Sequence, residues 1–266
     1  MDPFAQKPLA PSIQPDHPLS EGLVFAWCPT EKDIGQQRDE RTGQRGAATS
    51  VANTGFAPGK YGTAVTVASG GRFLWSANNT ALDAPGKFTF SFLVRPDAVG
   101  ATAYNFARWD SNAGFGLRQD DQFKLLINAG LPASSPSYTV GKWHHVIAVY
   151  DGTNAWIWLD GVRGANGATA APSTAAVGLT IGSLAGATAT ADFGTAGLLF
   201  WRRALSTSEV YALQADPWAP LRPQGSMEMK DLSGQGFVAS AAVAAAGGSP
   251  GLFPWPNFFS PFAGSI

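Results

Sequence analysis

Two histidines, three tryptophans and two aspartates crowd the stretch GKWHHVIAVYDGTNAWIWLDG, Gly141 to Gly161. Imidazoles beside carboxylates can move protons or hold a metal, and flat indole rings can stack on sugars. Spacing decides how much of that chemistry is open. Trp143 to Tyr150 and Ala155 to Leu159 read as strands joined by Asp151-Gly152-Thr153-Asn154, whose Asp-Gly start favours a hairpin. If Tyr150 faces Ala155, residue 148 stands opposite 157 and 146 opposite 159. Alternation then puts Trp143, His145, Ile147, Val149, Trp156 and Trp158 on one face, and His144, Val146, Ala148, Tyr150, Ala155, Ile157 and Leu159 on the other. The two imidazoles point apart, so they cannot share a metal or work as an acid–base pair from one side, and each reads as a structural histidine. Asp151 and Asp160 each precede a glycine in a tight turn, and that role explains them. Trp156 and Trp158 stay open between a covered layer and an exposed platform for sugar rings.

Other chemistry is thinner. Two carboxylates across a sugar bond would need a pattern such as E-x-D-x-x-E; Glu31 and Asp33 begin one, but Gln36 stands where the second Glu belongs. No G-x-S-x-G, H-E-x-x-H or phosphate loop occurs. The expectation is a protein that is not an enzyme, with no cofactor and no metal. Carbohydrate contact is the remaining candidate, through Trp156 and Trp158 together with Trp109, Asp110, Asn112 and Asn128 in polar, turn-rich surroundings. Net charge is −1 and Lys and Arg are scattered, which argues against a nucleic-acid partner. Cys28 is the sole cysteine, so no internal disulfide can form, and it reads as a small buried apolar residue. The first 22 residues lack a basic region followed by an apolar run, so neither a secretory leader nor a membrane span is expected.

The elements that must position these residues are short. From Leu23 to about Gly197, apolar runs such as FTFSFLVRP, FKLLIN and GLLFW alternate with Gly, Pro, Asn and Asp, the pattern of an all-β, two-sheet antiparallel jelly-roll sandwich spanning 20–222. One helix is signalled in RALSTSEVYALQADP, where Ser206 and Glu209 make a capping box and Val210, Tyr211 and Leu213 supply an apolar face; it is expected on the sandwich edge. Residues 1–19 hold five prolines and read as an extended arm that something must hold down. Residues 223–266 form a Gly/Ala-rich linker and a tail in which Phe253, Trp255, Phe258, Phe259 and Phe262 sit among prolines, so the tail docks either on its own sandwich or on a partner chain.

The stretches 141–162, 88–98 (FTFSFLVRPDA), 21–27 (EGLVFAW) and 197–218 (GLLFWRRALSTSEVYALQADPW) resemble the concanavalin A-like jelly roll of the laminin G-like type, over roughly residues 20 to 222. The closing RALS…EV…ADPW…LRP is similar to versions found in bacteriophage and prophage proteins. The resemblance implies a non-catalytic structural protein of a virion, such as a capsid decoration, fibre or tail component made in the bacterial cytoplasm. Its arms would anchor it to other virion proteins or to copies of itself, the tail aromatics foremost, while a lectin-like sandwich faces outward. The alternative is a glycan-binding module for host-surface carbohydrate, and a glycoside hydrolase is remote. Relatives often carry acidic residues where this chain has Ala196 and Gly197, and Asp192 is the one carboxylate nearby, so no calcium site is carried over.

Overall fold

The computed structural model describes residues 7–8, 11–29, 37–48, 53–68, 70–75, 80–83, 85–99, 103–175, 177–184, 192–222, 227–230 and 238–241. Its sandwich contains β1 (Leu23–Trp27), β2 (Gln37–Arg38), β3 (Arg45–Ala48), β4 (Thr54–Gly59), β5 (Gly62–Val67), β6 (Phe73–Leu74), β7 (Phe88–Pro96), β8 (Ala103–Asp110), β9 (Ala113–Gln119), β10 (Gln122–Ile127), β11 (Gly130–Ser137), β12 (His144–Tyr150), β13 (Asn154–Leu159), β14 (Val162–Arg163), β15 (Gly167–Ala168), β16 (Thr180–Ile181) and β17 (Phe193–Trp201), followed by α1 (Thr207–Ala215). A nine-stranded antiparallel sheet runs β14-β13-β12-β7-β17-β5-β4, with β1 added to β17 and β15 to β13. An eight-stranded sheet runs β11-β10-β9-β8-β16-β6-β3-β2. The chain divides into two compact units, Met1–Pro223 and Gln224–Ile266. The second contains a hairpin of β18 (Met227–Lys230) and β19 (Val238–Ala241). Phe253, Trp255, Phe258, Phe259 and Phe262 lie outside the described residues, as do Glu31, Asp33 and Gln36. No helix among the described residues is long and apolar enough to cross a membrane.

The hairpin register is the expected one, with Tyr150 opposite Ala155, Ala148 opposite Ile157 and Val146 opposite Leu159. Those six side chains face the second sheet and belong to the main core. Aromatic rings fill the space between sheets. Phe90 meets Phe106 edge-on at 4.8 Å between centroids, and Phe200 stacks on both Phe88, at 5.5 Å, and Phe115, at 4.9 Å.

The outer face of the nine-stranded sheet is apolar too. Leu93, Ile147, Val149, Trp158, Leu199 and Trp201 lie there, under Val210 and Leu213 of α1 and the side chains of Leu19, Trp218 and Leu221. The helix therefore lies on this face rather than on the sandwich edge. Tyr211, predicted in its apolar face, is 53% exposed, because one residue beyond Val210 is a rotation of ~100° around the helix. Ser206 Oγ accepts from the Glu209 N–H at 3.3 Å, and Glu209 Oε2 accepts from the Ser206 N–H at 2.8 Å, completing the capping box. Arg203 clamps the same carboxylate at 2.7 and 3.0 Å, which holds the Glu209 carboxyl down at about 2. The Arg203 guanidinium also donates to the carbonyls of Pro18 and Glu21.

The contacts that hold the described part of the N-terminal segment lie within the chain. Ser12 and Gln14 donate their N–H groups to the carbonyls of Leu221 and Pro220, and the Trp201 indole donates to the Leu19 carbonyl at 2.6 Å. Lys7 is buried, and its ammonium donates to the carbonyls of Pro29, at 2.7 Å, and Thr63; burial pulls this lysine down to about 8. Cys28 is buried, as its sequence context predicts. Because the capping box satisfies backbone donors that have no other partner, Ser206→Ala should lower stability by ~1 kcal/mol in urea unfolding, whereas Tyr211→Ala should change it by less than ~0.5 kcal/mol.

Candidate functional site

Both histidines are committed to structure. His144 Nδ1 donates to Asp160 Oδ2 at 2.7 Å, and the His145 N–H donates to Asp160 Oδ1 at 2.8 Å. Asp160 sits at φ +50° in its turn, so it does more than the turn role read from sequence: one carboxylate ties the start of β12 to the end of β13. Burial alone would raise that carboxyl, but the hydrogen bonds from His144 and the His145 N–H hold it below its usual range.

His145 and Ser91, 2.7 Å apart, have the spacing of a nucleophile and its base. Their environment removes that function. Both are buried, and they lie on the sheet face that α1 covers. In the amide orientation that satisfies its neighbours, Gln214 of α1 donates to His145 Nδ1 at 2.7 Å. Nδ1 is then the acceptor, so Nε2 carries the proton and donates to Ser91 Oγ, the reverse of what a general base needs. Burial pushes His145 down to about 3, leaving it neutral. The trio pins α1 to the sheet.

The six carbohydrate candidates fall into two separate sets. Trp109 and Asp110 end β8, Asn112 lies in the turn to β9, and Asn128 follows β10. Trp109 pairs with Gly114, and Gly114 accepts from the Asn128 N–H at 2.8 Å, so these residues gather at one end of the eight-stranded sheet. Ser111 and Asn112 have φ of +48° and +69°, the conformation of a tight hairpin turn, which asparagine tolerates. Asp110 accepts from the Ser111 hydroxyl at 2.9 Å. Asn128 staples loops: its Oδ1 accepts from the Ser173 N–H at 2.8 Å and its Nδ2 donates to the Ala171 carbonyl at 3.0 Å. Trp109 is half-buried, and its cross-strand neighbour Gly114 puts no side chain beside the indole.

Trp156 and Trp158 lie instead on the outer face of the nine-stranded sheet. Trp158 is buried and Trp156 half-buried, so they form no open two-ring platform; the layer that covers this sheet takes in both. Sequence reasoning missed Arg163, whose guanidinium stands 5.4 Å from the Trp156 ring centroid and 5.6 Å from that of Trp158. Extending the hairpin through Asp160-Gly161 would have found it, because Arg163 pairs with Trp158 across that turn.

Several carboxylates serve structure. Asp39 is buried and accepts from the N–H groups of Ala26, Arg41 and Thr42; Asp83, Asp97, Asp120 and Asp216 pair with Arg108, Arg95, Lys124 and Arg222. Asp151 accepts from the N–H groups of Thr153 and Asn154, its predicted turn role. Among the described residues no three His, Cys, Asp or Glu side chains are grouped to hold a metal. At Gly197 a Cβ would lie 2.5 Å from the Trp27 carbonyl oxygen and 3.0 Å from the Trp218 ring, and Ala196 is an extra, fully buried residue where β17 changes register. The Trp27 carbonyl and the Trp218 ring together leave no room for a side chain at position 197.

A family model described as the concanavalin A-like lectin/glucanases superfamily matches residues 59–211. The chain belongs to this superfamily. No curated protein matches it. Among solved structures, it is similar to Trypanosoma rangeli sialidase in complex with a difluoro-KDN ligand (TM-score 0.60, 18% identity, covering 78% of this chain and 36% of that one). It also resembles domain 4 of AbnA, a GH43 extracellular arabinanase from Geobacillus stearothermophilus, in complex with arabinotriose (TM-score 0.57, 17% identity, covering 74% and 98%). A third is the binding domain of Paraclostridial Mosquitocidal Protein 1 (TM-score 0.56, 14% identity, covering 73% and 52%). The chain spans about a third of the sialidase's length, and at these identities the likenesses establish the superfamily fold alone.

The buried His145 gives this member of the superfamily a pH signature. Its folded pKa lies below the unfolded value of 6.5, so its contribution is fully present above pH 6.5 and is lost as pH falls towards 3. For His144, burial would lower the pKa, but Asp160 and the Thr139 carbonyl raise it; its contribution is present below pH 6.5 and is lost as pH rises through the folded value. Urea unfolding at stepped pH should therefore show stability falling below pH 6.5, and His145→Gln should flatten that fall. An unchanged slope in the variant would place its origin elsewhere.

Proposed function

We propose that the chain is a non-catalytic structural protein of a bacteriophage virion, with a lectin-like sandwich turned outward and the segment after Pro223 as its anchor. The observation that carries this reading is the division of the chain. Met1–Pro223 is one compact unit, and Gln224–Ile266 is another. Within the first unit, described residues of that unit pack on both faces of the nine-stranded sheet. Five aromatic residues among prolines give the segment after Pro223 an apolar surface to bury, and docking on a second protein surface suits it. Several modest contacts of this kind raise local concentration enough for stable occupancy. The non-catalytic part is supported by the structural use of carboxylates such as Asp39, Asp151, Asp160 and Glu209, and by the sealed, reversed Ser91–His145 pair.

A second reading, a module that binds host-surface carbohydrate, is favoured by the half-buried Trp109 beside Gly114 at an end rich in polar groups. An indole with one open flank offers a sugar ring C–H stacking. The two readings can hold together in one particle.

Deleting residues 224–266 should leave a folded, β-rich domain by circular dichroism while abolishing assembly measured by light scattering or particle incorporation. Normal assembly of the truncated chain would rule out the anchor. On a glycan array, Trp109→Ala should remove sandwich binding without a change in the thermal unfolding profile; binding that survives would exclude this end as the carbohydrate site.

A further inference from the structure

We propose that Arg163, Trp156 and Trp158 form a binding site for a carboxylate-bearing saccharide on the flank of the nine-stranded sheet, with Arg163 as a displaceable cover. The inference rests on the reading of the sandwich as carbohydrate-binding, and it concerns a surface on the other sheet from Trp109. Arg163 is exposed and stands over both indoles, yet it makes no ion pair among the described residues. Trp156 is half-buried beneath the guanidinium, and Trp158 is buried beside it.

The guanidinium on β14 is an exposed cation resting on the indole faces of β13, with no carboxylate paired to it among the described residues. A carboxylate suits it, because a guanidinium fork binds that group bidentately. A cation over an indole face at an exposed site is held more weakly than by a charge-assisted hydrogen bond, so a carboxylate competes for Arg163. As the guanidinium turns to the anion, it leaves the Trp156 face free for the ring that carries the carboxylate. The saccharide is held by charge at one point and by stacking at the next.

The test uses the full-length protein and two probes, oligogalacturonate and its fully methyl-esterified form, which keeps the sugar skeleton and removes the charge. Calorimetry and tryptophan fluorescence should register the acidic form binding at least tenfold more tightly, with affinity falling as salt rises. Arg163→Gln, at an exposed position, should cost the acidic form about tenfold and leave the thermal unfolding midpoint unchanged. Equal binding of both probes, or no effect of Arg163→Gln, would overturn the inference. So would poly-glutamate binding as tightly and with the same Arg163 dependence, since the ligand would then be a peptide. If neither probe binds but neutral glycans bind through Trp109, this site is wrong and the lectin reading stands; if no glycan binds at all, both fall.

Discussion

The nine-stranded sheet is apolar on both faces, and most of the architecture follows from covering it twice. Every residue of β12 and β17 is buried, and all but one of β7. A strand that alternates apolar and polar residues can leave one face in water, whereas these cannot. The eight-stranded sheet covers one face. The other needs a second layer, and the chain builds it from α1, the Ala219–Leu221 turn and the N-terminal segment. That demand brings residues 11–19 back against 218–222 and places Arg203 between the Pro18 carbonyl and Glu209.

Covering a face also changes what its polar groups can do. Ser91, His145 and Gln214 would be open to water on an uncovered sheet; under α1 they must satisfy one another, because an unpaired polar group in a low-dielectric layer is costly. The same geometry that resembles a catalytic pair becomes a fastening. At Gly197 the cover reaches the sheet directly, with the Trp218 ring 3.0 Å from where a Cβ would stand.

Two places on the sandwich are less fully covered. One is the β8–β9 end, where Asn128 fixes the loops around Trp109. The other is the β13–β14 flank, where the cover thins to a single exposed arginine over two indoles. Each sits on a hairpin held by a wide sheet, so side chains can be positioned accurately while remaining accessible.

The strands, the hairpin pairing of Tyr150 with Ala155, the Asp151 turn and the Ser206–Glu209 capping box were legible in the sequence, because each depends on residues a few positions apart and on the fixed periods of strand and helix. The sequence also determined that two faces of one hairpin were apolar. It did not determine which faced the other sheet, nor that the helix would lie across a sheet face with Tyr211 outward. The union of Trp109 with Asn128 depended on the pairing of three strands, and Arg163 over Trp156 and Trp158 on a second turn and the pairing after it. Those outcomes rest on contacts such as Trp201 to Leu19 and Gly197 to Trp218, made between segments far apart in the chain or on surfaces whose exposure only the assembled layers set. Local spacing carries no record of them, since their free energy exists only once both sheets and their cover are in place.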